Sequence, residues 1–230
     1  EVGFIARMTP KGYKPEPLPD FVKLNDAELV KQLESPSYRR RMEAQRAILR
    51  GWKSGNANSE IWKQVTVLAG NQKASPSTRI AALFALSQGL GLGVENVLQH
   101  LLEHDSTIRP WAARALAGNF SETNMLVTGA LFTTASFEDS RSRKEAIHTL
   151  SSVDTPTNPC GKGMCLVALV TGNPDPIIGH ALVQALIRLR ASDECLERLE
   201  KLNNPTSEAE RIELTQILRV LQSLPEPKVV

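Results

Sequence analysis

Apolar residues recur three and four positions apart from about residue 25 onward. The segments SPSTRIAALFAL (75–86) and DSTIRPWAARAL (105–116) show the pattern clearly, with small and apolar residues after a short polar turn. This spacing places one apolar stripe along a helix, and no strand signal lies between such segments. The sequence therefore predicts an all-α fold.

The helical segments form a repeating unit of first helix, short polar turn and second helix, which occurs six times. One residue near the start of each second helix aligns all six units, and Ile or Leu follows it seven positions later. The aligned positions are 30 to 38 residues apart, a period that predicts a right-handed α-solenoid of about six helix pairs over residues 25–222.

Arginine occupies the aligned position in five units, and Gly179 occupies it in the remaining one. We call these five residues the arginine ladder: Arg41, Arg79, Arg109, Arg143 and Arg211. An arginine at a helix N-terminus faces the unfavourable end of the helix macrodipole, so each should have an acidic or carbonyl partner in an adjacent turn. Asp105, Asp139 and Asp175 lie in such turns. Gly179 is expected to interrupt the ladder.

The two ends of the chain differ from this repeating region. Residues 9–21, TPKGYKPEPLPDF, contain four prolines, so residues 1–24 are predicted to form an extended arm or linker. Residues 223–230 are predicted to be a C-terminal tail. The chain begins with Glu1 rather than Met, which favours a fragment or a processed form.

Composition and charge bear on nucleic-acid binding, membrane insertion and nucleotide binding. The 27 Lys and Arg residues nearly balance the 25 Asp and Glu residues, and a net charge of +2 is too weak to predict nucleic-acid binding. No apolar run reaches the roughly 18 residues of a membrane span, so no direct membrane insertion is predicted. The run GLGLG (89–93) follows no strand and is predicted to be a flexible connection rather than a nucleotide site.

The densest basic cluster lies in the second helix of the first repeating unit. It comprises Arg39, Arg40, Arg46 and Arg50, next to Arg41. Such a cluster can bind phosphate, an acidic partner or a neighbouring domain. It is equally typical of a solvated helix face.

Cysteine and histidine offer weaker candidates. Cys160 and Cys165 flank two glycines and could form a disulfide, remain thiols, or contribute to a metal site that lacks further ligands. His100 and His104 share a helix face, but no third ligand is evident, so an exposed helix end is expected. We predict no metal and no cofactor.

The layout resembles the HEAT-repeat family, whose fold belongs to the armadillo-like helical class. The residues that carry the resemblance are 75–86, 105–116, SRSRKEAIHTL (140–150) and NPDPIIGHALVQAL (173–186). The resemblance implies a stacked helical-repeat fold and does not specify a function.

A second resemblance covers the first 50 residues, where GFIARMTPKGYKPEPLPDF precedes ELVKQLESPSYRRRMEAQRAILR. This junction is similar to that of a family of bacterial membrane-bound dehydrogenases with a β-propeller, HEAT-type repeats and a cytochrome c-like haem module. The resemblance implies a helical middle region of an exported, periplasmic or cell-envelope protein. It also implies that the catalytic and haem-binding residues lie elsewhere, since this chain contains no Cys-x-x-Cys-His sequence.

The expected function is that of a non-catalytic scaffold or inter-domain spacer. Its second helices would hold a protein partner or neighbouring domains of the same chain, and no nucleic acid. The alternative is a helical-repeat enzyme or a nucleic-acid-binding protein, similar in architecture to DNA glycosylases or chromophore lyases. That alternative gains support if five arginines share one face without acidic neighbours: Arg39, Arg46, Arg50, Arg114 and Arg188.

Overall fold

The computed structural model describes residues 11, 12, 14, 17–55, 59–117, 119, 124–152, 161–170 and 175–225. These residues form twelve α-helices and one short 3-10 helix, with no strand among them, so the fold is all-α. The helices are α1 (Asp26–Leu33), α2 (Tyr38–Lys53), α3 (Glu60–Gly70), α4 (Pro76–Leu90), α5 (Glu95–His104), α6 (Arg109–Leu116), α7 (Met125–Phe137), α8 (Ser140–Ser151), α9 (Lys162–Val170), α10 (Pro176–Leu189), α11 (Ser192–Lys201) and α12 (Glu208–Ser223).

Polar residues in the turns begin most of these helices. Asn25 and Ser207 form capping boxes, in which the residue three positions later returns a carboxylate to the cap backbone. Asp139 and Asp175 each accept two backbone N–H groups at the starts of α8 and α10. Ser75 caps α4, where proline occupies the first turn. The turn composition thus determines where the helices start.

The helices pack as successive pairs, α1 with α2 through to α11 with α12. We call the odd-numbered members the first helices and the even-numbered members the second helices. Each second helix also contacts the next second helix along the chain. Among the first helices, α1 contacts α3, and α5, α7, α9 and α11 contact one another in order.

One continuous apolar core runs between these helices. Its largest fully buried side chains are aliphatic and come from helices along the chain: Leu33, Ile48, Ile61, Leu83, Leu86, Leu98, Leu102, Ile108, Leu116, Leu131 and Ile147. Alanines such as Ala82, Ala112 and Ala146 are fully buried beside them. These small residues allow neighbouring helices to approach closely.

The glycine-rich run at residues 89–93 differs from the flexible connection that its sequence predicts. Gly89 lies in the last turn of α4, and residues 91–94 form the 3-10 helix. A Cβ atom at Gly89 would lie 2.1 Å from Cη2 of Trp62, whose side chain is buried. Gly89 is therefore required by close packing, because no larger residue leaves room for the indole ring.

The segment Pro76–His104 is the one stretch of the described residues that is long and apolar enough to cross a membrane. Its most apolar 18-residue window has a mean hydropathy of 1.3. The segment consists of α4, the 3-10 helix and α5, with a positive φ of 55° at Gly91 between them. Core helices satisfy the same length and composition test, and α4 and α5 both contribute to the apolar core.

Candidate functional site

Arg79 shows the contacts of a ladder arginine most completely. Its side chain is 3% exposed, and Nε donates to the Ala69 carbonyl, 3.0 Å away, at the end of α3. Nη2 donates to Asp105, which lies in the turn of the next helix pair. The guanidinium group therefore connects the C-terminus of α3 to the turn between α5 and α6.

Arg109 and Arg143 repeat this arrangement one and two units later. Nε of Arg109 donates to the Leu102 carbonyl at 2.8 Å, and Nη1 donates to Glu138 in the next turn. Nε of Arg143 donates to the Ala135 carbonyl at 3.0 Å. The next turn supplies Asp175, whose pKa is lowered mainly by a hydrogen bond from Ser140 and partly by the charge of Arg143.

The two ends of the ladder differ from its middle. Arg41 donates only to carbonyl groups, those of Ser35 and Pro36, at 2.8 and 2.9 Å. Arg211 is exposed, and its guanidinium has no hydrogen-bond partner within the described part of the chain. Where the contacts form, the arginine lies at the negative C-terminal end of a first helix, which offsets its position at the start of a second helix.

Gly179 takes the place of an arginine because α10 approaches α12 closely. A Cβ atom there would lie 2.5 Å from Nε2 of Gln216, which is largely buried. These two helices therefore contact each other by close packing, without a ladder arginine between them.

Charge is distributed unequally between the two sets of helices. The second helices contain fifteen Lys and Arg residues and five Asp and Glu residues. The first helices contain five basic and nine acidic residues. A chain with a net charge of only +2 thus presents one basic and one acidic set of helices.

The arginines of the basic cluster on α2 differ in exposure and in contacts. Arg39, Arg46 and Arg50 are exposed. Arg46 pairs with Glu43 at 3.0 Å on the same helix. Arg40 is half-buried, and its Nη2 donates to the Pro17 carbonyl at 3.0 Å, which fastens the proline-rich segment to α2. Arg40 therefore has a structural contact that the sequence did not indicate.

A second basic site lies between α6, α8 and α10, and we call it the basic groove. Its volume is about 310 Å³, and its basic lining residues are Arg114, Lys144, His148, His180 and Arg188. Neither Arg114 nor Arg188 has a hydrogen bond or an ion pair with any residue that the structure describes. Glu145 also lines the groove and lies 3.4 Å from the ammonium group of Lys144.

Two aromatic side chains meet where α4 packs against α6. Phe84 of α4 and Trp111 of α6 are half-buried and meet edge to face, with ring centroids 6.4 Å apart. The guanidinium carbon of Arg141 lies 4.3 Å from the centre of the Trp111 ring, a cation–π contact. Trp111 of α6 thus contacts side chains of both neighbouring second helices, Phe84 of α4 and Arg141 of α8.

The cysteine and histidine candidates fall into separate places. Cys165 is exposed, and Cys160 lies outside the described residues, as does the proposed disulfide. Cys195 is buried in α11, and burial raises the pKa of its thiol to about 12. His100 and His104 are exposed on α5, and no group of three metal-ligating side chains occurs within the described ranges.

Sequence reasoning missed Lys144, His148 and His180 because the groove is assembled from three helices that are far apart in sequence. The repeat alignment contains a usable signal. Arg46, Arg114 and His148 each lie five positions after a ladder arginine. Comparing that position across units identifies side chains that stacked second helices present at the same level.

Comparison with known proteins assigns no family. No family model matches the chain, and no curated protein matches it. Among solved structures, the crystal structure of an engineered protein matches with a TM-score of 0.48 and 19% sequence identity. The match covers 90% of this chain and all of that one. Likeness at this level transfers neither fold nor function.

Proposed function

We propose that the chain is a non-catalytic scaffold that binds a protein partner, or a neighbouring domain of its own chain, through its second helices. The observation that carries the proposal is the separation of charge between the two helix sets. Ten Lys and Arg residues but only one Asp or Glu residue are exposed on the described second helices, and this surface attracts acidic partners and orients them.

The proposed architecture is a right-handed α-solenoid of about six HEAT-like helix pairs. Contacts between successive second helices support stacking along one direction. The repeated contacts of Arg79, Arg109 and Arg143 support equivalent joints between units. Small-angle X-ray scattering tests this shape, since a compact chain of this length has a radius of gyration of about 17 Å and a solenoid exceeds it.

A protein partner fits the surface better than nucleic acid does. The five arginines expected to mark a nucleic-acid face are all exposed on second helices. They do not lack acidic neighbours, because Glu43 pairs with Arg46 and Glu145 lies in the basic groove. Carboxylates at these points oppose a continuous phosphate backbone, whose neutralisation dominates nucleic-acid affinity.

The N-terminal resemblance adds a proposal about the neighbouring domains. It makes the chain a spacer between a β-propeller and a haem module in an exported dehydrogenase-like protein. Sequencing the complete reading frame tests this directly. A strand-rich repeat upstream and Cys-x-x-Cys-His downstream support it, and a frame that encodes neither contradicts it.

Matched charge-reversal variants test the binding surface. One variant carries Arg39→Glu, Arg114→Glu and Arg188→Glu on second helices. Its control carries Lys31→Glu, Lys63→Glu and Lys201→Glu on first helices, with the same change in net charge.

The two variants are compared with the original chain by affinity capture from the source cell, with captured proteins quantified by mass spectrometry. The proposal expects a partner that the original and the control retain and that the second-helix variant loses. Equal retention of every captured protein by both variants contradicts it.

A further inference from the structure

We propose that the basic groove between α6, α8 and α10 binds an acidic segment of a partner protein, with Arg114 and Arg188 each holding an Asp or Glu carboxylate. The inference rests on the proposed scaffold function and names the chemistry of the partner. It also places the binding site in the basic groove rather than at the basic cluster on α2.

Several arginines elsewhere in the chain already have partners, whereas the two that line the basic groove have none among the described residues. Arg79 and Arg109 each satisfy their guanidinium groups with a carbonyl and a carboxylate, and Arg198 pairs with Glu213. Within the described residues, Arg114 and Arg188 have no such partner. The guanidinium fork presents several donors in a plane, a geometry that matches a carboxylate with two parallel hydrogen bonds.

The walls and floor of the groove suit a peptide. Ala181 and Ala185 contribute small apolar lining, and Gln184 and Ser151 add neutral hydrogen-bonding groups. The volume of about 310 Å³ lies at the lower end of the range for ligand sites, about 300–1,000 Å³. A space of this size accommodates a few side chains of an extended segment that continues over the neighbouring helices.

Glu145 decides between an acidic peptide and a nucleic-acid strand. It lines the groove beside Lys144, with 3.4 Å between ammonium nitrogen and carboxylate oxygen. A phosphate backbone carries a charge on every nucleotide, so a strand along the groove brings phosphates close to the Glu145 carboxylate. A peptide can place a neutral residue there and keep its carboxylates for the arginines on either side.

The test measures binding of a fluorescein-labelled peptide of alternating Glu and Gly by fluorescence anisotropy at low and physiological salt. The variants are Arg114→Gln and Arg188→Gln, and the matched control is Arg219→Gln, an exposed arginine of α12. We expect each groove variant to weaken binding about tenfold, because each removes one charge-assisted contact. The control should change affinity less than about twofold, and added salt should weaken binding throughout. Circular dichroism melting curves establish that each variant is folded.

Three outcomes overturn the inference. The first is peptide binding that the groove variants leave unchanged and that Arg39→Gln with Arg50→Gln weakens, which moves the site to α2 and leaves the scaffold function standing. The second is a single-stranded DNA of matched charge that binds more tightly and displaces the peptide, which makes the partner a nucleic acid. The third is no peptide binding at low salt, after which the capture comparison still decides the scaffold function independently.

Discussion

The buried ion pair between Arg79 and Asp105 gives the sharpest prediction about stability. The two side chains are 3% and 8% exposed, so removing either leaves a charge in the protein interior. Breaking such a pair costs about 3–5 kcal/mol, since the remaining charge is held away from water without an opposite charge beside it. We therefore expect Asp105→Ala to lower the free energy of unfolding by about 3–5 kcal/mol.

Urea denaturation followed by circular dichroism measures this loss. With a slope of about 3 kcal/mol/M, the midpoint for Asp105→Ala should fall by about 1 M or more. The control is Asp20→Ala, which removes an exposed ion pair with Lys23 whose side chains are 82% and 53% exposed. That change should cost less than about 1 kcal/mol.

A double variant tests whether the two charges depend on each other. Arg79→Met combined with Asp105→Ala removes both charges and should be more stable than the sum of the two single losses predicts, by about 1–3 kcal/mol. Two results refute the reasoning: a loss for Asp105→Ala no larger than for Asp20→Ala, or single losses that simply add.

Three further predictions concern packing, acid stability and thiol reactivity. Gly89→Ala should destabilise the fold by about 1–3 kcal/mol because its Cβ would meet a buried indole ring, whereas Gly129→Ala, with open space around its Cβ, should be neutral or stabilising in the same thermal unfolding assay. Backbone N–H groups of the α12 cap lower the pKa of Glu210 to about 2. Its stabilising contribution is therefore complete above the unfolded pKa of about 4.3 and is lost as pH falls toward 2; Glu210→Gln should flatten the pH dependence of stability in this window, and an unchanged profile would count against the cap. Iodoacetamide should leave Cys195 unmodified in the folded chain at pH 8, since burial raises its pKa to about 12, and modify it in denaturant, as read by peptide mass spectrometry. Cys165, being exposed, should react in the folded reduced chain, and equal labelling of the two thiols would contradict the assigned burial.

The periodic features of the fold are those that the sequence predicts well. An apolar stripe and a capping residue act within one or two turns, so segments such as 75–86 and 140–150 specify helices without reference to the rest of the chain. The all-α class follows from the six repeats of that pattern. The alignment also identified Arg79, Arg109 and Arg143, which make equivalent contacts with the ends of their first helices.

Features that depend on contacts between units could not be read in the same way. Gly89 and Gly179 each make room for a side chain from another helix, Trp62 or Gln216, and nothing local distinguishes them from glycines of a flexible turn. The sequence indicated Asp139 as the acidic partner in its turn, but Arg109 pairs with Glu138 beside it. Asp139 instead caps α8.

The candidate site shows the same division. The four arginines of the α2 cluster lie within twelve residues, 39–50, so the sequence alone indicates the cluster. The groove residues Arg114 and Arg188 are 74 positions apart and become neighbours only when α6, α8 and α10 stack. Their significance lies in lining one groove while lacking a partner among the described residues, and both are properties of the folded chain.

The forward reach of the ladder arginines bears on how a chain of this kind can lengthen. Each unit from α3 to α8 carries an arginine for the unit after it, and each from α5 to α10 carries a carboxylate for the unit before it. A duplicated copy of α5–α6 or α7–α8 would therefore contain both the arginine that contacts the following pair and the carboxylate that contacts the preceding pair. A copy of α9–α10 would lack the arginine for the following pair, because Gly179 stands in its place. Duplication of a helix pair before α9 would therefore preserve the arginine–carboxylate contacts between pairs, whereas duplication of α9–α10 would not.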